Sequence, residues 1–179
     1  MSCLVLCVAL ATACAHGDQL SRGLFRKGPV TVHMGEWPIS WKRVAVDGAD
    51  LAFRDDARAA SVLIDVHCGE RDDDAPLSVL TTHLIMGTTE RDFQSQETAP
   101  FDGREALHTL MRAKLDGVSL RYDIYVMKKD GCVFDLVYVA GPERFAEGTR
   151  DFEGFVAAFH AESPSAVASS GQTKSLSDP

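Results

Sequence analysis

The run from Glu105 to Ala140 limits what this chain can fold into more than any other stretch. Apolar residues alternate with polar ones through three blocks, Ala106–Leu115, Val118–Lys128 and Cys132–Ala140. The blocks are separated by Asp116-Gly117 and Lys129-Asp130-Gly131. Period-two alternation interrupted by Asp-Gly is the signature of antiparallel hairpins. A two-residue loop at Asp116-Gly117 pairs Leu115 with Val118, Ala113 with Leu120, Met111 with Tyr122, Thr109 with Ile124 and Leu107 with Val126. Each pair is apolar or nearly so. Leu107, Leu110, Met111 and Leu115 also fit a helical period, but the matched phase of the two blocks favours strand. At the second turn a three-residue loop with Gly131 in the left-handed position sets Val126 against Phe134, Ile124 against Leu136 and Tyr122 against Tyr138. A two-residue loop would turn Asp135 onto the apolar face, so the three-residue form is expected.

Shorter elements precede the meander. Trp41–Val46 and Ala49–Arg54 read as strands around Asp47-Gly48, and Ser61–Cys68 as a strand with Val62, Ile64, Val66 and Cys68 on one face. After the acidic loop Gly69–Ala75, Pro76 suits the first position of a helix running to about Met86, with Leu77, Leu80, Thr81 and Leu84 buried. Arg91–Thr98 is weakly patterned and reads as a strand or an edge segment. Beyond Gly141-Pro142, Phe152, Phe155, Val156 and Phe159 recur at i, i+3, i+4 and i+7, an amphipathic helix with Thr149 as expected N-cap. Burying those three Phe is worth about 2–3 kcal/mol each, so the helix should pack on the sheet.

The N-terminus carries an address. Cys3 to Ala13 is an uninterrupted run of small and apolar residues, shorter than the about 20 needed to span a bilayer but suited to a signal-peptide core. Ala11-Thr12-Ala13-Cys14 resembles the lipobox of bacterial lipoproteins, in which the Cys becomes the lipidated first residue. One departure is that the first Lys or Arg is Arg22, where a leader should begin with positive charge. The division expected is a lipoprotein signal peptide at 1–13, a lipidated N-terminus and tether at 14–36, a folded domain at 37–160 and a disordered Ser-rich tail at 161–179. Removing Cys3 and Cys7 and acylating Cys14 leaves Cys68 and Cys132 of the five Cys. In an exported protein two remaining thiols favour a disulfide, the other reading being two separate buried thiols. Such a bond closes a loop of about 65 residues and contributes about 4 kcal/mol on the chain-entropy model.

The order of short strands, helix, long meander and Phe-rich closing helix resembles the PsbP-like superfamily, which includes DcrB-type envelope lipoproteins. The residues carrying the likeness are Gly103-Arg104-Glu105-Ala106, the Lys128-Lys129-Asp130-Gly131 hairpin and the Phe152–Phe159 stripe, over roughly Trp37 to His160. The resemblance implies an α+β fold, an α/β sandwich with a central antiparallel sheet and helices packed on it. It implies accessory or binding roles with differing partners, and it transfers no functional residue to a position here.

Composition and motifs narrow function further. The 179 residues carry a formal net charge of −8, which opposes nucleic-acid binding because phosphate recognition needs a basic stripe. The sequence contains no GxSxG, HExxH or Gly-rich phosphate loop, and no cofactor is expected. Cys68 beside His67 points their side chains to opposite strand faces, which opposes a cysteine enzyme. His67, Glu70 and Asp72–Asp74 are metal-ligand types without EF-hand spacing, and no metal site is expected. Trp37 and Trp41 read as core anchors. The expected registers put His108, Tyr125 and Asp135 in one cross-strand row on the face opposite the core, with Asp123, Arg112 and Arg121 beside it. That face is the candidate binding surface, suited to an anion or peptide carboxylate on the two Arg, although a partly solvated sheet face whose charges pair locally is the favoured reading of it. The expected function is a lipid-anchored, non-enzymatic binding or accessory module on the periplasmic side of the bacterial envelope, with an envelope protein as partner. The alternative is a small-molecule or lipid carrier with a pocket between sheet and helix. An enzyme using His108, Tyr125 and Asp135 ranks last.

Overall fold

The computed structural model describes residues 19–21, 23–69 and 74–163. The leader, Cys14, residues Glu70, Asp72 and Asp73 of the acidic loop, and the segment from 164 onward lie outside the described residues. Eleven strands and two helices are described: β1 (Gln19–Ser21), β2 (Leu24–Lys27), β3 (Val30–His33), β4 (Trp41–Val44), β5 (Leu51–Asp55), β6 (Ala60–Cys68), α1 (Leu77–Leu84), β7 (Thr89–Phe101), β8 (Arg104–Leu115), β9 (Val118–Lys129), β10 (Cys132–Ala140), α2 (Phe145–Ala157) and β11 (His160–Glu162). Seven strands form an antiparallel sheet in the order β4-β5-β6-β10-β9-β8-β7, and four form a smaller one in the order β1-β2-β3-β11.

Three Asp-Gly pairs set the meander. Asp102-Gly103, Asp116-Gly117 and Asp130-Gly131 all have positive φ at both residues, the backbone of the type I′ turn, whose twist matches that of the strands it joins. The β8–β9 register is the one expected, with Leu115 opposite Val118 and Leu107 opposite Val126. The β9–β10 register differs from expectation. Asp130-Gly131 makes a two-residue loop, so Lys129 pairs with Cys132, Met127 with Phe134, Tyr125 with Leu136 and Val126 with Asp135. The reason is that this sheet is buried on both faces, so placing Asp135 opposite Val126 does not expose an apolar row. Phe134, Leu136 and Tyr138 join one core with Met127, Phe152 and Phe155; Val133 and Val137 join the other with Met111, Ile124 and Val126.

The layers follow. α1 lies over β8 and β9 on one face. On the other, α2 lies over β10 and β6, and the small sheet contributes Phe25, Val30, Val32 and Ala161 to the same core. The 14–36 segment is therefore corrected: its residues from Gln19 to His33 form three strands rather than a tether. Their alternation is short, but Phe25 and Val32 are fully buried. The domain also runs past His160, because β11 completes the small sheet beside β3. Thr149 is not an N-cap. α2 begins at Phe145, and the Thr149 hydroxyl donates to the Phe145 carbonyl one turn back. β7 is one of the two edge strands of the large sheet, with irregular pairing at its start and Pro100 near its end, features that discourage edge-to-edge pairing. Among the described residues no helix is long and apolar enough to cross a membrane.

Candidate functional site

The structure gathers part of the expected polar row and disperses the rest. His108 pairs with Tyr125 and Arg112 with Arg121 across β8 and β9. Asp135 instead pairs with Val126 and faces the α1 side, so the row of His108, Tyr125 and Asp135 does not exist. What remains is packed rather than open. The His108 ring stacks on Tyr125 at 4.1 Å, and its Nε2 lies 2.7 Å from Oδ1 of Asp123, which is 2% exposed. Tyr125 in turn meets Phe152 of α2 and Phe101. Burial, with the charges of Asp123 and Glu153, pushes its phenol up to about 12. Arg121 lies over the Phe145 ring at 4.4 Å and donates to Gln94 at 3.1 Å, which relieves its opposition to the exposed Arg112. α2 covers much of this face.

The opposite face is different. α1 has eight residues and reaches about 12 Å, whereas twelve-residue β8 and β9 extend about 40 Å. One short helix cannot cover the sheet, and beyond its C-terminal end the wall stays open. There a cleft of about 400 Å³ is bounded by Leu84 and Ile85 on one side and Leu63, Leu120, Tyr122 and Val139 on the other. Met86, Leu115 and Val118 stand near this end of the sheet with 68%, 41% and 59% of their surfaces exposed. The volume lies within the range of small-molecule pockets, which are mostly apolar with few polar groups. The turn from Ile85 to Thr88 is pinned: Thr88 donates its hydroxyl to the Ile85 carbonyl at 2.8 Å, and Arg91 donates to both. Tyr122 belongs to the α1-side core and Leu84 and Leu120 pack against it, as their apolar phase predicts, but the sequence reading did not show that they also border a cleft. The signal it missed was the length mismatch between α1 and the strands beneath it.

Other reactive side chains are engaged structurally. Cys68 and Cys132 pair directly across β6 and β10 and form a disulfide, so Cys68 is not a free nucleophile. His67 Nε2 lies 2.7 Å from Asp65. Burial first, and then Asp50, push the Asp65 carboxyl up, while Lys27 and the Val66 N–H outweigh burial at Asp50 and hold its carboxyl low. Trp41 is buried and Trp37 meets Phe53 at 4.9 Å, both as core anchors. Among the described residues no three His, Cys, Asp or Glu side chains are grouped to hold a metal ion.

Three solved structures are similar in fold. CyanoP, the cyanobacterial PsbP of Synechocystis sp. PCC 6803, matches with a TM-score of 0.56 at 15% identity, over 75% of this chain and 87% of that one. The fold is PsbP-like. LpqN of Mycobacterium tuberculosis, involved in cell envelope biogenesis, matches at 0.56 and 12%, over 78% and 87% of the two chains. A point mutant of the protein Mog1 matches at 0.50 and 11%, over 74% and 90%. No family model matches the chain, and no curated protein matches its sequence. At these identities the likeness extends to the PsbP-like architecture and not to any site, so the cleft is read from this chain's residues alone.

Proposed function

We propose that the protein is a binding module of the bacterial cell envelope, held to the membrane by a lipid on Cys14, that carries a small apolar molecule in the cleft beside α1 without transforming it. The observation that carries this reading is the cleft itself: a mostly apolar-walled space of about 400 Å³ on a sheet face that its short helix leaves uncovered. The envelope address rests on the Ala11-Thr12-Ala13-Cys14 pattern. The Cys68–Cys132 bond suits an oxidising compartment, and LpqN supplies an envelope precedent for the fold. A non-enzymatic role is favoured because His67, Cys68 and His108 are each engaged by Asp65, Cys132 and Asp123. Docking of a protein on the opposite face is less favoured, because Phe145 and Phe152 of α2 already pack there.

The test is extraction. The full chain with its leader is produced in a bacterial envelope, purified from membranes, and its bound small molecules are read by mass spectrometry. A retained apolar compound, lost in a folded Val139→Trp variant that fills the cleft, supports the reading. Equal retention by both proteins contradicts it. For the anchor, Cys14→Ser should move the protein out of the detergent phase with no incorporated fatty acid.

A further inference from the structure

Of the hydroxyl groups among the cleft's lining residues, Ser61, Thr88 and Tyr122, that of Tyr122 is fully buried without a partner among the described residues. Tyr122, on β9 between Met111 of β8 and Val139 of β10, lines the cleft and is 7% exposed. Among the described residues its buried hydroxyl has no hydrogen-bond partner. A phenylalanine would fill the same space without that cost, since a buried hydroxyl is stable only when something replaces its water. Burial pushes the phenol up, so at physiological pH it is a neutral O–H, ready to donate. Thr88, the nearby hydroxyl on the α1 side, is already committed to Ile85 and Arg91.

The wall also limits the charge of what can enter. Every side chain lining the cleft is uncharged, and the Arg91 guanidinium beside its Ile85–Thr88 turn already donates to that turn, so a carboxylate or ammonium there would lose its water without an unengaged counter-charge on the wall. A plain hydrocarbon would leave the Tyr122 hydroxyl orphaned. Resting on the carrier reading above, we infer that the ligand is a single-chain neutral acyl compound, an ester or amide, whose carbonyl oxygen accepts the Tyr122 hydrogen bond while its aliphatic chain lies along Leu84, Leu120 and Val139. The volume suits one such chain. The bond forms without proton transfer, so the step is binding alone.

Three probes of equal chain length separate the terms when titrated calorimetrically into the full chain: methyl decanoate, decane and decanoate. Methyl decanoate should bind roughly tenfold more tightly than decane, the usual scale of one buried hydrogen bond, and decanoate more weakly than the ester. Tyr122→Phe should erase the ester's advantage, leave decane affinity unchanged, and unfold thermally no lower than the parent without ligand. An ester advantage that survives in Tyr122→Phe, or equal binding of ester and decane to the parent, overturns the acyl inference and leaves the cleft reading standing. Tighter binding of decanoate than of the ester overturns the neutral-ligand inference. Binding of all three that persists in folded Val139→Trp and Leu84→Trp variants overturns the cleft reading too, as does failure of the parent to bind any of them.

Discussion

Asp102 sits in the β7–β8 turn with positive φ and ties the two sheets together. Its Oδ2 accepts from Lys129 of β9 at 2.7 Å and from the Ala161 backbone N–H of β11 at 2.8 Å, and its Oδ1 lies 2.5 Å from His160 Nδ1. Burial alone would raise its carboxyl, but the donors from Ala161, Lys129 and His160 outweigh it and hold the carboxyl below the usual range. A carboxyl depressed in the folded state stabilises above its unfolded value, about 3.9, and that contribution is lost as pH falls through the lowered folded value. Asp55 follows the same sign, because Arg58 and Ser40 outweigh its burial. Asp102→Asn should therefore cost about 2–3 kcal/mol at neutral pH and flatten the acid limb of stability below about pH 4. Urea titrations at stepped pH check this; an unchanged limb would remove Asp102 from the coupling of the sheets. His108→Ala should cost about 2 kcal/mol because it removes the imidazole beside buried Asp123, again read by urea unfolding. Sequence placed His108 beside Tyr125 correctly, since only one hairpin register was needed. Asp102 carried no such signal, because its partners come from residues 27 to 59 positions away.

At the scale of elements, the β8–β9 hairpin was legible because its pairs are apolar on one face under a two-residue loop. The β9–β10 hairpin was not. Its reading assumed one buried face, whereas α1 and α2 bury both, and phase alone cannot choose a register when both faces are apolar. Asp130-Gly131 was the better guide. The Phe stripe of α2 was read from periodicity, and Phe152 and Phe155 are indeed fully buried. The site of closest approach was not readable: a Cβ at Gly148 would overlap the Tyr138 hydroxyl, which donates to the Phe145 carbonyl at 3.1 Å. Gly148→Ala should lower stability by about 1–3 kcal/mol despite its better helix propensity. An increase in thermal stability would mean that α2 can slide off Tyr138. Reducing the Cys68–Cys132 bond, which spans 64 positions, should cost about 4 kcal/mol, seen as a lower urea midpoint in reductant.

On the scale of the molecule, the sandwich was legible and its second sheet was not. β1 to β3 are three or four residues each, too short for alternation to stand out, and their partner β11 follows β3 by more than a hundred residues in the chain. Only tertiary pairing reveals them. The cleft has the same origin, since no single segment contains it and it exists because α1 is shorter than the strands it meets. A carrier would use that opening between helix and sheet, whereas a purely accessory scaffold has no use for it. The most direct test is methyl NMR of the full chain titrated with methyl decanoate. Binding in the cleft predicts saturable shifts of Leu84, Leu120 and Val139 methyls on both walls, with Val32 in the opposite core unmoved. Saturable shifts confined to other surfaces, or no shifts at any of these methyls, would contradict it.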